Sequence, residues 1–404
     1  MTPGLDLAGR LLLCPGPCAA PIRSTRPQGL QRVALGQRAE QLPTLMAALH
    51  ALCAHAHRLA ARLAVRAARG EPGTPTTAER LALQAGTARD QLLRLAHDWP
   101  RLLPGAEPFA PALAEALRSC PLWRPGTAPA AALATLPDWL AQHWLGQSPA
   151  RWLAAWADDP LAWPARWAQR QHTPLARLLA AQQAATQALA TPPRPWQPLA
   201  AAEGAAAAVG AALAGWPAAG GPAAAGASAE AGASGAVDAA GADPGAEALP
   251  DTGPWSRHHD RLAPAAHNAW MRLVSRLVDL LQLASPAGAP HAPGGADWLA
   301  AGAASPAPGE GLAWVETARG LLAYRVALAA DDGSPAGPRL QALQVLAPTD
   351  WNFHPQGVLA RALQAQAAGD APAATRLAVA FDPCVAFTVA AAALPAHPHE
   401  AQHA

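Results

Sequence analysis

A mainly α fold with a small β component (α+β), its sheet lying near the C-terminal motifs, is what the sequence predicts. Three observations carry that expectation. Leu42, Leu45, Leu49, Leu52, Leu59 and Leu63 recur near helical spacing, and a second such pattern runs over residues 77–97. Trp123, Trp139, Trp144, Trp152, Trp156, Trp163 and Trp167 follow, in a stretch that Pro137, Pro149, Pro160 and Pro164 break into short helices. Runs rich in Val, Leu, Trp and Tyr, the mark of strands, occur at 311–329 and 340–346.

Taken in order, residues 1–30 are extended or irregular, because Pro15, Pro17, Pro21 and Pro27 forbid a helix. A helical pattern starts at Val33 and ends at Gly70. The next helix, 77–97, is capped by Thr76 or Thr77 and stopped by Asp98-Trp99-Pro100. The tryptophans of 101–200 fill a core between short helices, since each buries a large apolar area. Residues 201–249 are almost pure Ala, Gly, Ser and Pro, which predicts a flexible, disordered insertion that builds no core. Beyond Pro250 an amphipathic helix is expected over 266–283. The two strand runs are joined by the turn Asp331-Asp332-Gly333-Ser334. A helix over 358–367 comes next, then a strand over 377–381 running into Asp382-Pro383-Cys384. This divides the chain into segments 1–100, 101–200, 201–249 and 250–404.

Composition excludes several function classes. All 29 basic residues are arginine, and 28 acidic residues leave a formal net charge of +1. Nucleic-acid binding needs clustered positive charge, which this balance does not supply. No apolar run is long enough to span a bilayer, and the N-terminus lacks the basic segment of a signal peptide, so the cytoplasm is expected. Five cysteines, sparse and odd in number, argue for metal binding or burial rather than a disulfide framework.

Five local features carry chemistry. Cys53-Ala54-His55-Ala56-His57 sits in a helical pattern, so Cys53 and His57, four apart, share a helix face at a spacing that suits a metal pair. Phe381-Asp382-Pro383-Cys384 puts a thiol at a chain turn, where it can reach into a cleft. Glu316-Thr317-Ala318-Arg319-Gly320 offers a fixed fork of donors beside a permissive glycine. Pro348-Thr349-Asp350-Trp351-Asn352-Phe353-His354-Pro355 can hold a small ligand through Thr349 and Asn352. Ser24-Thr25-Arg26-Pro27 closes the first extended segment. Each also has a plainer reading: buried thiols, a surface ion pair at Glu316, a helix cap, a turn. The terminal His397, His399 and His403 read as a solvated tail.

In this order the features resemble the [NiFe]-hydrogenase large subunit. Gly29 through Leu35-Gly36-Gln37-Arg38, then His50-Ala51-Leu52-Cys53-Ala54-His55-Ala56-His57-Arg58-Leu59-Ala60-Ala61, follow that family's N-terminal cysteine motif, with Cys53 on its second cysteine and His50 on its first. Glu316 to Gly320, Leu343 to Asn352 and Asp382 to Phe387 follow its three C-terminal motifs. The likeness covers roughly the first hundred and the last hundred residues, and separated motifs at matched spacing are more specific than any one alone. His50 and Phe387 replace two of the family's four cysteines, Ala390 stands at its terminal histidine, and Ala318 replaces a proline.

These losses, with Ser24 to Pro27 and the run from Arg89 to Pro100, are similar to the hydrogenase expression/formation proteins of the HupK/HoxV type. That resemblance implies a degenerate large-subunit-like fold in a non-catalytic assembly factor. Such a scaffold transiently holds an Fe(CN)2(CO) fragment, without nickel, for transfer to a hydrogenase large-subunit precursor among other maturation proteins. It implies Cys53 and Cys384 as metal ligands. His57, Glu316, Arg319, Thr349 and Asp382 would surround them, with Arg319 and Thr349 donating to cyanide. A metal-free structural or regulatory subunit is the alternative, and a reduced hydrogenase with altered ligation is a third.

Overall fold

The computed structural model describes residues 9–27, 29–106, 111–194, 196, 204–214, 249–258, 267–285, 299–330 and 337–390. The turn expected at Asp331 to Ser334, most of the 201–249 insertion and the histidine tail lie outside them.

The chain opens with β1 (Arg10–Leu13) and β2 (Ile22–Ser24), which pair antiparallel with Leu11 opposite Ser24. Between them Gly16 adopts φ +92°, and a Cβ there would lie 2.7 Å from the Ala368 backbone, so only glycine fits. The helical pattern expected from Val33 to Gly70 is broken. A 3-10 turn at Leu30–Ala34 precedes α1 (Leu42–Leu49), and a second break at His50 to Cys53 separates α1 from α2 (Ala54–Ala68). Cys53 is therefore the N-cap of α2, at the end of a 3-10 turn (Ala51–Cys53), and not a residue inside an α-helix.

α3 (Thr77–Leu93) begins with a reciprocal capping box between Thr76 and Glu79. The expected stop at Asp98-Trp99-Pro100 does not end it. The chain passes through a π-helical turn, Arg94–Asp98, into α4 (Trp99–Leu102). Pro100 is tolerated because it falls in the first turn of α4, where its missing N–H costs nothing.

The middle of the chain forms α5 (Pro111–Ser119), α6 (Pro129–Leu140), α7 (Pro149–Asp158), α8 (Trp163–Arg170) and α9 (Pro174–Gln187). As expected, tryptophan fills the space between them. Trp144, Trp152 and Trp167 are fully buried, and Trp152 meets Trp163 and Trp167 edge-on at 6.4 and 5.8 Å.

The insertion was expected to build no core, but its early part forms α10 (Ala205–Ala214). Ala205, Val209 and Leu213 lie one turn apart on one face and pack with Leu312, Trp314 and Trp351. Alanine's helix propensity wins here because three apolar residues share a stripe.

After α11 (Pro254–His258) comes α12 (Ala269–Leu283), every residue of which is buried. The expected amphipathic helix is thus a central one, and its polar residues meet buried partners instead of water: Arg272 with Asp251, Arg276 with Asp382, Asp279 with Arg257.

β3 (Ala301–Ala304), β4 (Glu310–Thr317), β5 (Gly320–Leu328) and β6 (Leu340–Leu346) form an antiparallel meander. The single run read at 311–329 is two strands joined by a tight turn at Ala318-Arg319. α2 lies on this sheet. A Cβ on Gly311 would sit 1.9 Å from the Ala64 carbonyl oxygen, so glycine in β4 and the alanines of α2 permit the close approach.

The chain ends with α13 (Pro348–Asn352), α14 (Val358–Gln364), α15 (Ala371–Phe381) and β7 (Ala386–Val389), which pairs parallel with β1. The strand expected at 377–381 is the last part of α15. Leu377, Val379 and Phe381 alternate, but Ala373, Ala374, Leu377, Ala378 and Phe381 fit a helix equally well. Asp370 caps that helix through Ala373 N at 2.9 Å. The mainly α fold with a small β component stands.

Candidate functional site

The break between α1 and α2 and the segment after α15 bring the two ends of the sequence together. Cys53 and Cys384 are both half-buried thiols. Burial first, then the neighbouring Cys384 and Asp90, push the Cys53 thiol up to about 12, against the pull of Arg319 and Arg26. The two cysteines, 331 positions apart, therefore lie within one electrostatic neighbourhood.

Cys384 is anchored by Thr349 at the start of α13. The Thr349 hydroxyl donates to Cys384 Sγ at 3.0 Å and accepts the Cys384 N–H at 3.1 Å. Thr349 is itself buried.

Asp382, two residues before Cys384, is left-handed at φ 57°, unusual for a non-glycine residue. Three arginines surround its carboxylate: Arg276 at 2.7 Å, Arg319 at 3.4 Å, and Arg94 in a close ion pair. Burial works to raise its pKa, but Arg276, Arg94 and Arg319 hold it below the usual carboxylate range. Arg94 also donates to the Pro383 carbonyl at 2.9 Å and pairs with Asp98 at 2.7 Å. It lies in the π-helical turn that follows α3, so the widened turn supplies the clamp on the segment leading to Cys384.

Arg319 sits in the β4–β5 turn. Thr317 holds that turn, accepting Arg319 N–H at 3.1 Å and donating to the Gly320 carbonyl at 2.8 Å. Gly320 has φ 129°, and a Cβ there would lie 2.6 Å from Thr252. The Arg319 guanidinium reaches Asp90 at 3.6 Å as well as Asp382. Although burial works to lower its pKa, Asp382, Asp90, Cys53 and Cys384 together raise it. A fixed cation thus lies among two carboxylates and the two thiols.

The remaining expected site residues, His57 and Glu316, are held by partners of their own. His57 lies in the first turn of α2, which Cys53 opens. It is buried, its ring stacks on His50 at 3.9 Å, and its Nδ1 lies 2.6 Å from the Tyr324 hydroxyl. Burial, then His50 and His55, push it well below 6.5, so it is neutral. Glu316 pairs with Arg257, which also reaches Asp279 at 2.7 Å. It buttresses the arginine turn.

Sequence reasoning singled out Arg26 and His50 only as parts of their motifs, and passed over Asp90, Arg94, Arg276 and Tyr324 as site residues. Asp90 and Arg94 stand four apart within the run from Arg89 to Pro100, and Tyr324 is the single tyrosine of the chain. Those were the available signals. Among the described residues no group of three or more His, Cys, Asp or Glu side chains is arranged to hold a metal ion, and no helix is long and apolar enough to cross a membrane.

No protein-family model matches the chain. Its fold resembles that of an NAD+-reducing [NiFe]-hydrogenase in the H2-reduced state, at 16% identity and a TM-score of 0.50 over 90% of this chain and 91% of the other. The architecture is that of a hydrogenase large subunit. Among curated proteins, the hydrogenase expression/formation protein HoxV of Cupriavidus necator is 34% identical over 399 residues, 96% of this chain and 97% of that protein. HupK of Rhizobium leguminosarum bv. viciae is 30% identical over 391 residues, 92% of each. Shared sequence over nearly the whole length, on a large-subunit-like fold, makes this chain a member of the HoxV/HupK family of hydrogenase expression/formation proteins.

Proposed function

We propose that this chain is a non-catalytic assembly scaffold of hydrogenase maturation. It takes an Fe(CN)2(CO) fragment as cargo on Cys53 and Cys384 and passes it to a hydrogenase large-subunit precursor. The observation that carries this reading is the meeting of two half-buried thiols with Arg319 and Thr349 in one neighbourhood. Two soft thiolates suit iron, and carbonyl and cyanide complete its coordination, so a third protein ligand is not required. Nickel would need the thiolates that His50 and Phe387 replace. The Arg319 guanidinium has donors to spare for an anionic acceptor such as cyanide. Ligation requires both thiols to lose their protons, and Cys53 holds its proton strongly. Loading is therefore expected to weaken as pH falls, with release of protons into the buffer.

The metal-free alternative draws on one observation, the replacement of two of the four cysteines of the large-subunit pattern by His50 and Phe387. Infrared spectroscopy separates the two. The full chain, produced together with the hydrogenase maturation machinery, should show cyanide and carbonyl stretches. Cys384→Ser should lose them, while Cys120→Ser, a fully buried thiol outside the site, should keep them. Reproducible absence of both bands and of iron from the unaltered protein would favour a structural or regulatory subunit.

A further inference from the structure

One ion pair at this site has no place in the reading above. Arg26, from the Ser24-Thr25-Arg26-Pro27 segment after β2, pairs with Asp350, the residue next to Thr349 in α13. The two side chains are partly exposed, at 21% and 32%, whereas the Arg319 cluster behind them is buried. Asp350 raises the Arg26 pKa most; burial opposes this, and Cys384 and Cys53 add to the rise. His50 is also within reach of both charges. The pair thus lies beside the two thiols and is itself open to solvent.

The two partners are not equally free. Asp350 Oδ2 accepts the Ala347 N–H at 3.3 Å and so caps α13, leaving Oδ1 for Arg26. Its carboxylate stays in place whether or not Arg26 is there. The Arg26 backbone is also fixed. Gly9, at φ +62°, packs so closely that a Cβ would lie 2.5 Å from Arg26 Cα, and Thr25 is hydrogen-bonded to Arg10 at 2.9 Å. The long Arg26 side chain thus extends from a pinned backbone to Asp350, with the two thiols in its electrostatic reach.

We propose that Arg26 is an anion-selecting arm of this site: resting on Asp350, it turns to the thiols when a small anionic ligand arrives, and it favours such ligands over neutral ones. The proposal rests on the reading of Cys53 and Cys384 as a receiving site, but not on iron being there. Guanidinium is suited to the task because its charge is permanent and its donors are forked.

The test is a comparison of two alkylating probes of similar size, iodoacetate (anionic) and iodoacetamide (neutral), on the full-length protein. In both, the thiolate sulfur bonds to the methylene carbon and iodide leaves. Mass spectrometry reads the rates at Cys384, and their ratio cancels any change in thiolate reactivity. Arg26→Gln should lower the iodoacetate preference about fivefold, and Asp350→Asn, which keeps the cap, should raise it by a similar factor; a unit charge near the thiol has that effect at low salt. In the double variant the Asp350→Asn effect should shrink well below its size in the wild-type background, because most of it comes through the released Arg26 and only the remainder from the lost Asp350 charge itself. Ratios within twofold of wild type in both single variants, with melting temperatures unchanged, would overturn the proposal. So would an Asp350→Asn effect that persists undiminished in the double variant. Neither outcome bears on the infrared bands, so the failure of this inference and of the iron reading are distinguishable.

Discussion

The tryptophan-packed helices α6 to α9 and the charged seam around Asp382 are buried to a similar degree by opposite means. In the first, Trp144, Trp152 and Trp167 fill space, Trp152 meeting Trp167 edge-on, and burial of apolar area is the main contribution. In the second, Arg94, Arg276 and Arg319 converge on one carboxylate, and the cost of desolvating each charge is offset only while its partner is present. A packed core degrades gradually as volume is removed. A shared counter-charge fails at once. The seam holds the segment that ends at Cys384, so what fails with it is the site.

The sharpest way to break that comparison is to neutralise Asp382. Asp382→Asn preserves shape but leaves three buried arginines without their common partner, and should cost roughly 3–5 kcal/mol in denaturant unfolding. Trp152→Phe, at a site of equal burial, should cost only about 1–2 kcal/mol, because a smaller aromatic ring still fills most of the space. Thiol alkylation should change at both Cys53 and Cys384 in the first variant and at neither in the second. Equal costs and equal alkylation would mean that the seam is ordinary core.

Acid sharpens the same contrast, since His50, His55 and Asp90, groups that burial shifts strongly, lie on the site side. Burial pushes His50 and His55 down to about 4. The unfolded chain takes up these protons near pH 6.5 and the folded chain only near 4. Stability from this source is complete above pH 6.5 and is lost as pH falls through that window. Asp90 acts in the opposite sense: burial pushes it up to about 6, so the folded state gains relative stability on acidification toward 4. His55→Gln isolates the histidine effect. The loss of stability between pH 7 and 4.5 should shrink by on the order of 2 kcal/mol, measured by denaturant midpoints. An unchanged pH profile would count against a buried neutral imidazole at His55.

Much of the site was legible in sequence and parts of the fold were not, for identifiable physical reasons. Cys53, Arg319, Thr349, Asp382 and Cys384 stand in motifs whose order and spacing survive, and the structure brings all five together. α15 was misread as a strand because a segment buried on all sides has no polar face to betray its period. α12 hid its nature in the reverse way, its arginines and aspartate resembling a solvated face when they pair within the core. The π-helical turn carrying Arg94 was hard to read, because the phase shift of its extra residue is followed by only the short α4, too little pattern to reveal it. The break at His50 to Cys53, which turns Cys53 into a cap, had no proline or glycine to announce it.

The smallest expected effect tests how finely the two thiols are held apart in role. Thr349→Val keeps the volume of the side chain but removes the hydroxyl that donates to Cys384 Sγ and accepts the Cys384 N–H. Two hydrogen bonds are lost and one backbone donor is left without its partner, a cost of about 1–2 kcal/mol. The thiol at Cys384 also loses a donor that would stabilise its thiolate. Its alkylation by iodoacetamide should therefore slow at fixed pH, while Cys53, whose proton is governed by burial and its charged neighbours, should keep its rate. Serine at the same position should restore the Cys384 rate, because it returns the hydroxyl without the methyl. Equal slowing at both cysteines would show that Thr349 supports the whole pocket; a slowed Cys384 with rescue by serine would assign the hydroxyl to that one thiol.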